Sequence, residues 1–168
     1  MTYEQSGARQ SGVKPIPTAT KRRYEALLRL LRTSETIWNA SRLFFARWAL
    51  SPSQFNILNL LNGHAGGLTQ TDLSHALITH RSNVTGLVDR LEQRGLVVRK
   101  AVPGDRRAYS VQLTRAGARL VEEILPEYYA RAEAAFEPIP LKDLARLNRQ
   151  LAEIDATATR IAAQLENH

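Results

Sequence analysis

The chain has 168 residues, 43% of them hydrophobic and 23% charged, which is enough for one domain with a core of its own. Lys and Arg outnumber Asp and Glu by 23 to 16, a net charge of +7 that favours a polyanionic partner without saying which one. There is no cysteine and Met1 is the only methionine, so disulfides, thiol redox sensing and Cys-based zinc sites are excluded.

His64, His75, His80 and His168 fall at no spacing that presents a pair on one helical turn, so no metal site and no cofactor is expected. Met1 to Ala19 has no apolar core of a signal peptide, and no stretch reaches the length of a membrane span. A cytoplasmic protein without a membrane partner is the expectation. Residues 1–19, with Gly7, Gly12, Pro15, Pro17, Arg9 and Lys14, read as a flexible basic arm.

Residues 20–49 predict one long helix. Leu27, Leu31, Ser34, Trp38, Ser41, Phe45 and Trp48 recur at three- and four-residue spacing. About 30 residues span about 45 Å, more than a small core covers, so another surface must cover part of the stripe. The next helix opens with Ser51 as N-cap, Pro52 at the first helical position and Gln54 completing a capping box. Phe55, Leu58 and Leu61 should face inward, and Asn62, Gly63, Gly66 and Gly67 close the helix. Thr69 and Asp72 open a short helix in the same way, whose Leu73, Ala76 and Leu77 should pack against Val84 and Leu87.

Arg81 to Arg94 predicts a helix with two unlike faces. Val84, Leu87, Val88 and Leu91 form the inward face, while Arg81, Ser82, Asn83, Thr85, Gly86, Asp89 and Arg90 face outward. Arg can bond guanine bidentately, Asn can bond adenine, Thr can offer a methyl to thymine, and Gly86 lets the backbone approach a phosphate. The same face would also serve as an ordinary solvated one. Gly95 stops the helix, Leu96 to Ala101 reads as a strand, and Pro103 to Arg107 reads as a turn with Arg106 and Arg107 at its tip. Ala108 to Leu113 then alternates Tyr109, Val111 and Leu113 with Ala108, Ser110 and Gln112, as a strand with one buried face does. Two guanidinium groups beside a groove-sized helix suit a minor groove. Asp105 can neutralise only one of them. Arg99 and Lys100 add charge that could reach phosphates.

Beyond this hairpin Thr114 caps a helix carrying Leu120, Val121, Ile124 and Leu125, with a kink or break expected at Pro126 before Tyr128 to Phe136. Pro138 and Pro140 interrupt the chain. The last helix carries Leu144, Leu147, Leu151, Ile154, Ala158, Ile161 and Leu165 as a narrow coiled-coil seam. An overlong apolar helix at one end and a narrow seam at the other are two incomplete surfaces. A two-fold axis could complete them across a homodimer, through Leu27, Leu31, Leu144, Leu147, Leu151, Ile154, Ile161 and Leu165. A helix pair within a monomer is the alternative. The organisation is thus an arm (1–19), a dimerisation helix (20–49), a winged helix-turn-helix (50–113) and C-terminal dimerisation helices (114–168). The fold class is mainly α with a β-hairpin wing.

The runs Leu68 to Leu73, Arg81 to Leu91 and Arg94 to Val97, then Asp105-Arg106-Arg107 and Leu113-Thr114-Arg115-Ala116-Gly117, resemble the MarR family of winged helix-turn-helix transcriptional regulators. The Asp-Arg-Arg wing followed by Leu-Thr-x-x-Gly is the most specific part, and the similarity spans about Arg22 to Leu165. The resemblance implies a homodimeric regulator, commonly a repressor, on a pseudo-palindromic double-stranded DNA operator. It also implies release by a small phenolic or lipophilic anion held between the dimerisation helices and the winged domain. His80 stands where many members have a capping serine, and Thr79 can supply the cap instead.

Trp38 and Arg42, one turn apart, could give such an effector an aromatic wall and an anion partner. Trp38 in the core or dimer seam, with Arg42 paired to an acidic neighbour, is the competing account. Catalysis is not expected, because Glu122 and Glu123 are adjacent and diverge on a helix and no histidine has an evident triad partner. A winged helix used for protein contact is the remaining alternative. The polar Arg-Ser-Asn-x-Thr face lacks the apolar anchors that protein interfaces favour.

Overall fold

The computed structural model describes residues 16–77, 84–102 and 105–166; side chains at 102 and 105–108 are outside the description. Among the described residues, six α-helices and a small sheet follow one another as α1 (Thr18–Phe45), α2 (Pro52–Asn62), β1 (Leu68–Thr69), α3 (Gln70–Ala76), α4 (Val84–Gln93), β2 (Val97–Val102), β3 (Asp105–Leu113), α5 (Arg115–Phe136) and α6 (Leu141–Glu166). A 3-10 turn, Ala46–Trp48, follows α1 directly. It ends at Ala49, whose φ of 51° and ψ of 38° put a non-glycine residue in the left-handed region. The first helix is therefore shorter at its C-terminus than its periodicity suggests, because the chain must turn before Ser51.

Helix α2 is the centre of the core, touching α1, α3, α4, α5 and β3. Its predicted start is observed in full. Ser51 Oγ accepts from the Gln54 amide, and Gln54 Oε1 accepts from the Ser51 amide at 2.8 Å, with Pro52 in the first turn. Phe55, Leu58 and Leu61 are buried as expected, joined by Ile57. Phe45, Phe55 and Tyr128 of α5 form an aromatic knot, with Phe45 and Phe55 stacked at 4.4 Å and Tyr128 within 5.3 Å of both. Helix α5 runs through Pro126 without a break. Val121 and Ile124 are buried before the proline and Tyr128 packs after it. Packing on both sides outweighs the lost backbone bond, which costs about 3 kcal/mol in an exposed helix.

The sheet is antiparallel with the order β1-β3-β2. The two-residue β1 was not foreseen; Leu68 pairs with Val111 and Thr69 with Ser110. Strand β3 starts at Asp105, paired with Val102, so the Asp-Arg-Arg segment belongs to the strand rather than to a long turn. Val97 and Val111 are buried beneath α4 and α2, but Tyr109 is 52% exposed. Its cross-strand neighbour Ala101 is exposed as well. The outer half of the hairpin runs past the core, and the inward alternation ends with it.

Two glycines are required by close approach. A Cβ on Gly117 would stand 2.0 Å from the Leu96 carbonyl oxygen, so α5 can lie against the base of β2 only through glycine. Gly67, at φ +77°, would place a Cβ 2.3 Å from Ser110 Oγ. The Gly66 carbonyl accepts from both Ser110 Oγ and Gln112 Nε2, tying the loop to β3.

Candidate nucleic-acid interface

Helix α4 divides as its sequence predicts. Val84, Leu87, Val88 and Leu91 are buried, and Thr85 and Arg90 are exposed. Gly86 is half-buried. The short helix α3 supports it from behind, with Leu73 and Leu77 buried; Ala76, expected inside, is exposed. Asp72 Oδ2 caps α3 by accepting from the Thr69 amide at 3.0 Å and the Thr69 hydroxyl at 2.6 Å. The hydrogen bond from the Thr69 side chain, then that from its backbone, holds the Asp72 carboxyl below its ordinary value. Thr85 Oγ1 donates to Gln70 Oε1 at 3.4 Å, a weak link between the two helices of the motif. Arg81, Ser82 and Asn83, with Thr79 and His80, lie outside the described residues, so the first turn of base-facing candidates is not placed.

On the hairpin, Lys100 is exposed on β2. Arg99 has a different employment from the one its charge suggested. Its guanidinium bonds Asp89 Oδ1 at 2.5 Å and Glu92 Oε2, and its amide donates to Glu92 Oε1 at 2.9 Å. Partial burial disfavours the charge, but the hydrogen bonds to Asp89 and Glu92 outweigh it and hold the guanidinium more firmly charged than usual. Arg99 thus staples β2 to the outer side of α4. Nothing in its local sequence announces this, because the partners face it only after the strand folds back. Asp105, Arg106 and Arg107 lie at the start of β3, the middle strand, with side chains outside the description.

A second site lies at the C-terminal end of α1. Trp38, Arg42, Ala49, Leu50, Ser51, Pro52 and Ser53 line an open cleft of about 390 Å³. Trp38 and Arg42, paired in the sequence reading, both line this cleft. Trp38 is half-buried, Arg42 is exposed, and Arg42 makes no ion pair among the described residues. Of the expected dimerisation residues, Leu27, Leu31, Ile154, Ile161 and Leu165 are 49–71% exposed in the single chain, Leu144, Leu147 and Leu151 are half-buried, and α6 buries none of its residues completely. No group of His, Asp or Glu able to hold a metal occurs among the described residues, and no described helix is long and apolar enough to cross a membrane.

A helix-turn-helix whose second helix is flanked by a three-stranded sheet with a projecting hairpin is a winged helix-turn-helix. Residues 50–108 match the model of the MarR family. The transcriptional regulator FarR of Neisseria gonorrhoeae is 31% identical over 125 residues, 74% of this chain and 85% of FarR. Two solved structures are similar over most of their length. CouR of Rhodococcus jostii, bound to p-coumaroyl-CoA, is 30% identical at a TM-score of 0.67, covering 74% of this chain and 87% of CouR. BpsR of Bordetella bronchiseptica, whose DNA binding is regulated by 6-hydroxynicotinic acid, is 26% identical at a TM-score of 0.67, covering 76% and 91%. The chain belongs to the MarR family of winged helix-turn-helix transcriptional regulators.

Proposed function

We propose that this protein is a repressor that binds a pseudo-palindromic DNA operator as a homodimer and is released by a small hydroxyaromatic anion. The observation that carries the reading is α4 itself. Its apolar face is wholly buried, and its exposed face carries Thr85 and Arg90 beside a hairpin carrying Lys100 and the Asp105-Arg106-Arg107 segment. In this reading Arg81, Ser82, Asn83 and Thr85 meet base edges in the major groove, and Gly86 allows the backbone close to a phosphate. Arg90, Lys100, Arg106 and Arg107 supply charge to phosphates and the minor groove. The uncovered apolar residues of α1 and α6 meet their copies across a two-fold axis. Binding is an equilibrium in which no bond is made or broken, in the cytoplasm.

The effector reading rests on the cleft, where an aromatic wall and a guanidinium without an ion pair among the described residues stand one helical turn apart, and on the ligands of the similar CouR and BpsR. Selection of bound duplexes from a random pool at about 150 mM salt tests the DNA reading. A two-fold symmetric motif with half-sites about 10 bp apart is expected. A folded dimer that enriches no motif would refute operator recognition. Titration of that duplex complex with salicylate or 6-hydroxynicotinate then tests release. Unchanged affinity with both would reject this ligand class.

A further inference from the structure

The cleft and α4 share a piece of backbone. The strap Ala46–Ser51 joins α1 to α2, and Ala49 and Leu50 in it line the cleft. From the side of α4, Arg94 reaches the same strap. Its Nη1 donates to the Ala49 carbonyl at 2.7 Å and its Nη2 to the Trp48 carbonyl at 2.9 Å. These oxygens close the 3-10 turn, where helix carbonyls lack intrahelical partners, and a planar guanidinium suits two adjacent acceptors. Arg94 is fixed to α4 in turn, since its amide bonds the Arg90 carbonyl at 3.3 Å.

A third element grips the strap from behind. Trp48 Nε1 donates to Glu123 of α5 at 2.8 Å, Arg47 bonds Glu127 at 2.5 Å, and the Arg47 guanidinium lies 4.7 Å from the Trp48 ring centroid. The hydrogen bond from Arg47 lowers the Glu127 carboxyl below its ordinary value, with a further contribution from Arg131. With α5 as a fixed backing, displacement of the strap at the cleft is carried to the end of α4 by the two Arg94 bonds. Ala49 is the one described non-glycine residue with a positive φ, so the transmitting carbonyl belongs to the most conformationally constrained residue of the strap.

We propose that Arg94 is the positioning residue through which occupancy of the Trp38–Arg42 cleft alters the set of α4 on DNA. The proposal rests on the function given above and adds the route of its regulation. Coupling between sites is reciprocal, so DNA bound at α4 must also disturb the strap, and this can be read without an effector. Trp38 and Trp48 are the only tryptophans. In the full-length Trp38→Phe protein, Trp48 reports on the strap alone.

The test is Trp48 emission before and after addition of the selected operator duplex, with binding followed independently by anisotropy of a labelled duplex. A shift is expected in Trp38→Phe, and its loss in Trp38→Phe/Arg94→Met although the duplex still binds. Arg94→Lys keeps the charge without the planar fork, and should retain a reduced shift; it also serves if the methionine variant does not fold. An equal shift in the Arg94 variants, or no shift with Arg94 present, overturns the proposal alone. Failure of the folded protein to bind any selected duplex overturns the DNA reading, and this proposal with it.

Discussion

The Asp72 carboxylate satisfies the exposed N-terminal amide of Thr69 and the Thr69 hydroxyl together, and both bonds favour its charged form. A carboxyl held below its ordinary value of 3.8 adds stability that is fully present above that value and is lost as the pH falls through the lower folded value. The melting temperature of Asp72→Asn should therefore lie below that of the parent near neutrality, and the gap should close as the pH is taken below about 3.8. A gap that persists in acid would assign the cap's effect to something other than ionisation. This cap was legible in the sequence, as was Ser51-x-x-Gln54, because both partners lie within four residues. Arg94 and Arg99 were legible only as charges. Their acceptors lie 45–46 and 7–10 residues away respectively, and no local spacing encodes a contact made by folding back.

Between elements, the geometry of α4 and the hairpin depends on two contacts of opposite kinds. Arg99 holds β2 to Asp89 and Glu92 by charge, and Gly117 holds α5 to the base of β2 by the absence of a side chain. Arg99→Met frees the hairpin and leaves two carboxylates unpaired beside the proposed phosphate surface. Operator affinity should fall by roughly tenfold, about 1.4 kcal/mol, measured by duplex anisotropy, whereas the melting temperature changes little because the pair is partly solvated. Unchanged affinity would make the staple irrelevant to binding. Gly117→Ala forces a methyl into the Leu96 carbonyl, and the unfolding free energy from urea titration should drop by about 1–3 kcal/mol. A neutral result would mean that α5 shifts away at no cost.

The extent of most helices followed from apolar period and caps, since each is a local property. Other features did not. The 3-10 turn after α1 and the uninterrupted α5 answer to packing around Phe45 and Tyr128, and the exposure of Tyr109 answers to where the core ends beneath the hairpin.

For the whole molecule, the apolar residues left uncovered on α1 and α6 are the feature that the proposed dimer must account for. Ile161→Glu places a charge in the proposed seam and should shift sedimentation from dimer to monomer at micromolar concentration. A variant that stays dimeric would remove this part of α6 from the interface. If the dimer neutralises roughly ten phosphates, the logarithm of operator affinity should fall against that of salt with a slope of about −9. A slope near zero would show that charge contributes little to binding.

The sheet order has a consequence of its own. With β3 in the middle and β1 on its far side, β2 has one edge without a strand partner among the described residues. Such a row of backbone donors and acceptors can template pairing with another chain. Arg99 is taken up by Asp89 and Glu92, but the exposed Lys100 sets a charged side chain on this strand, a residue type that disfavours edge-to-edge pairing. The basicity that suits the hairpin to a polyanion thus also opposes hairpin-to-hairpin assembly, and a protein depleted of that charge would meet aggregation before it met a loss of fold.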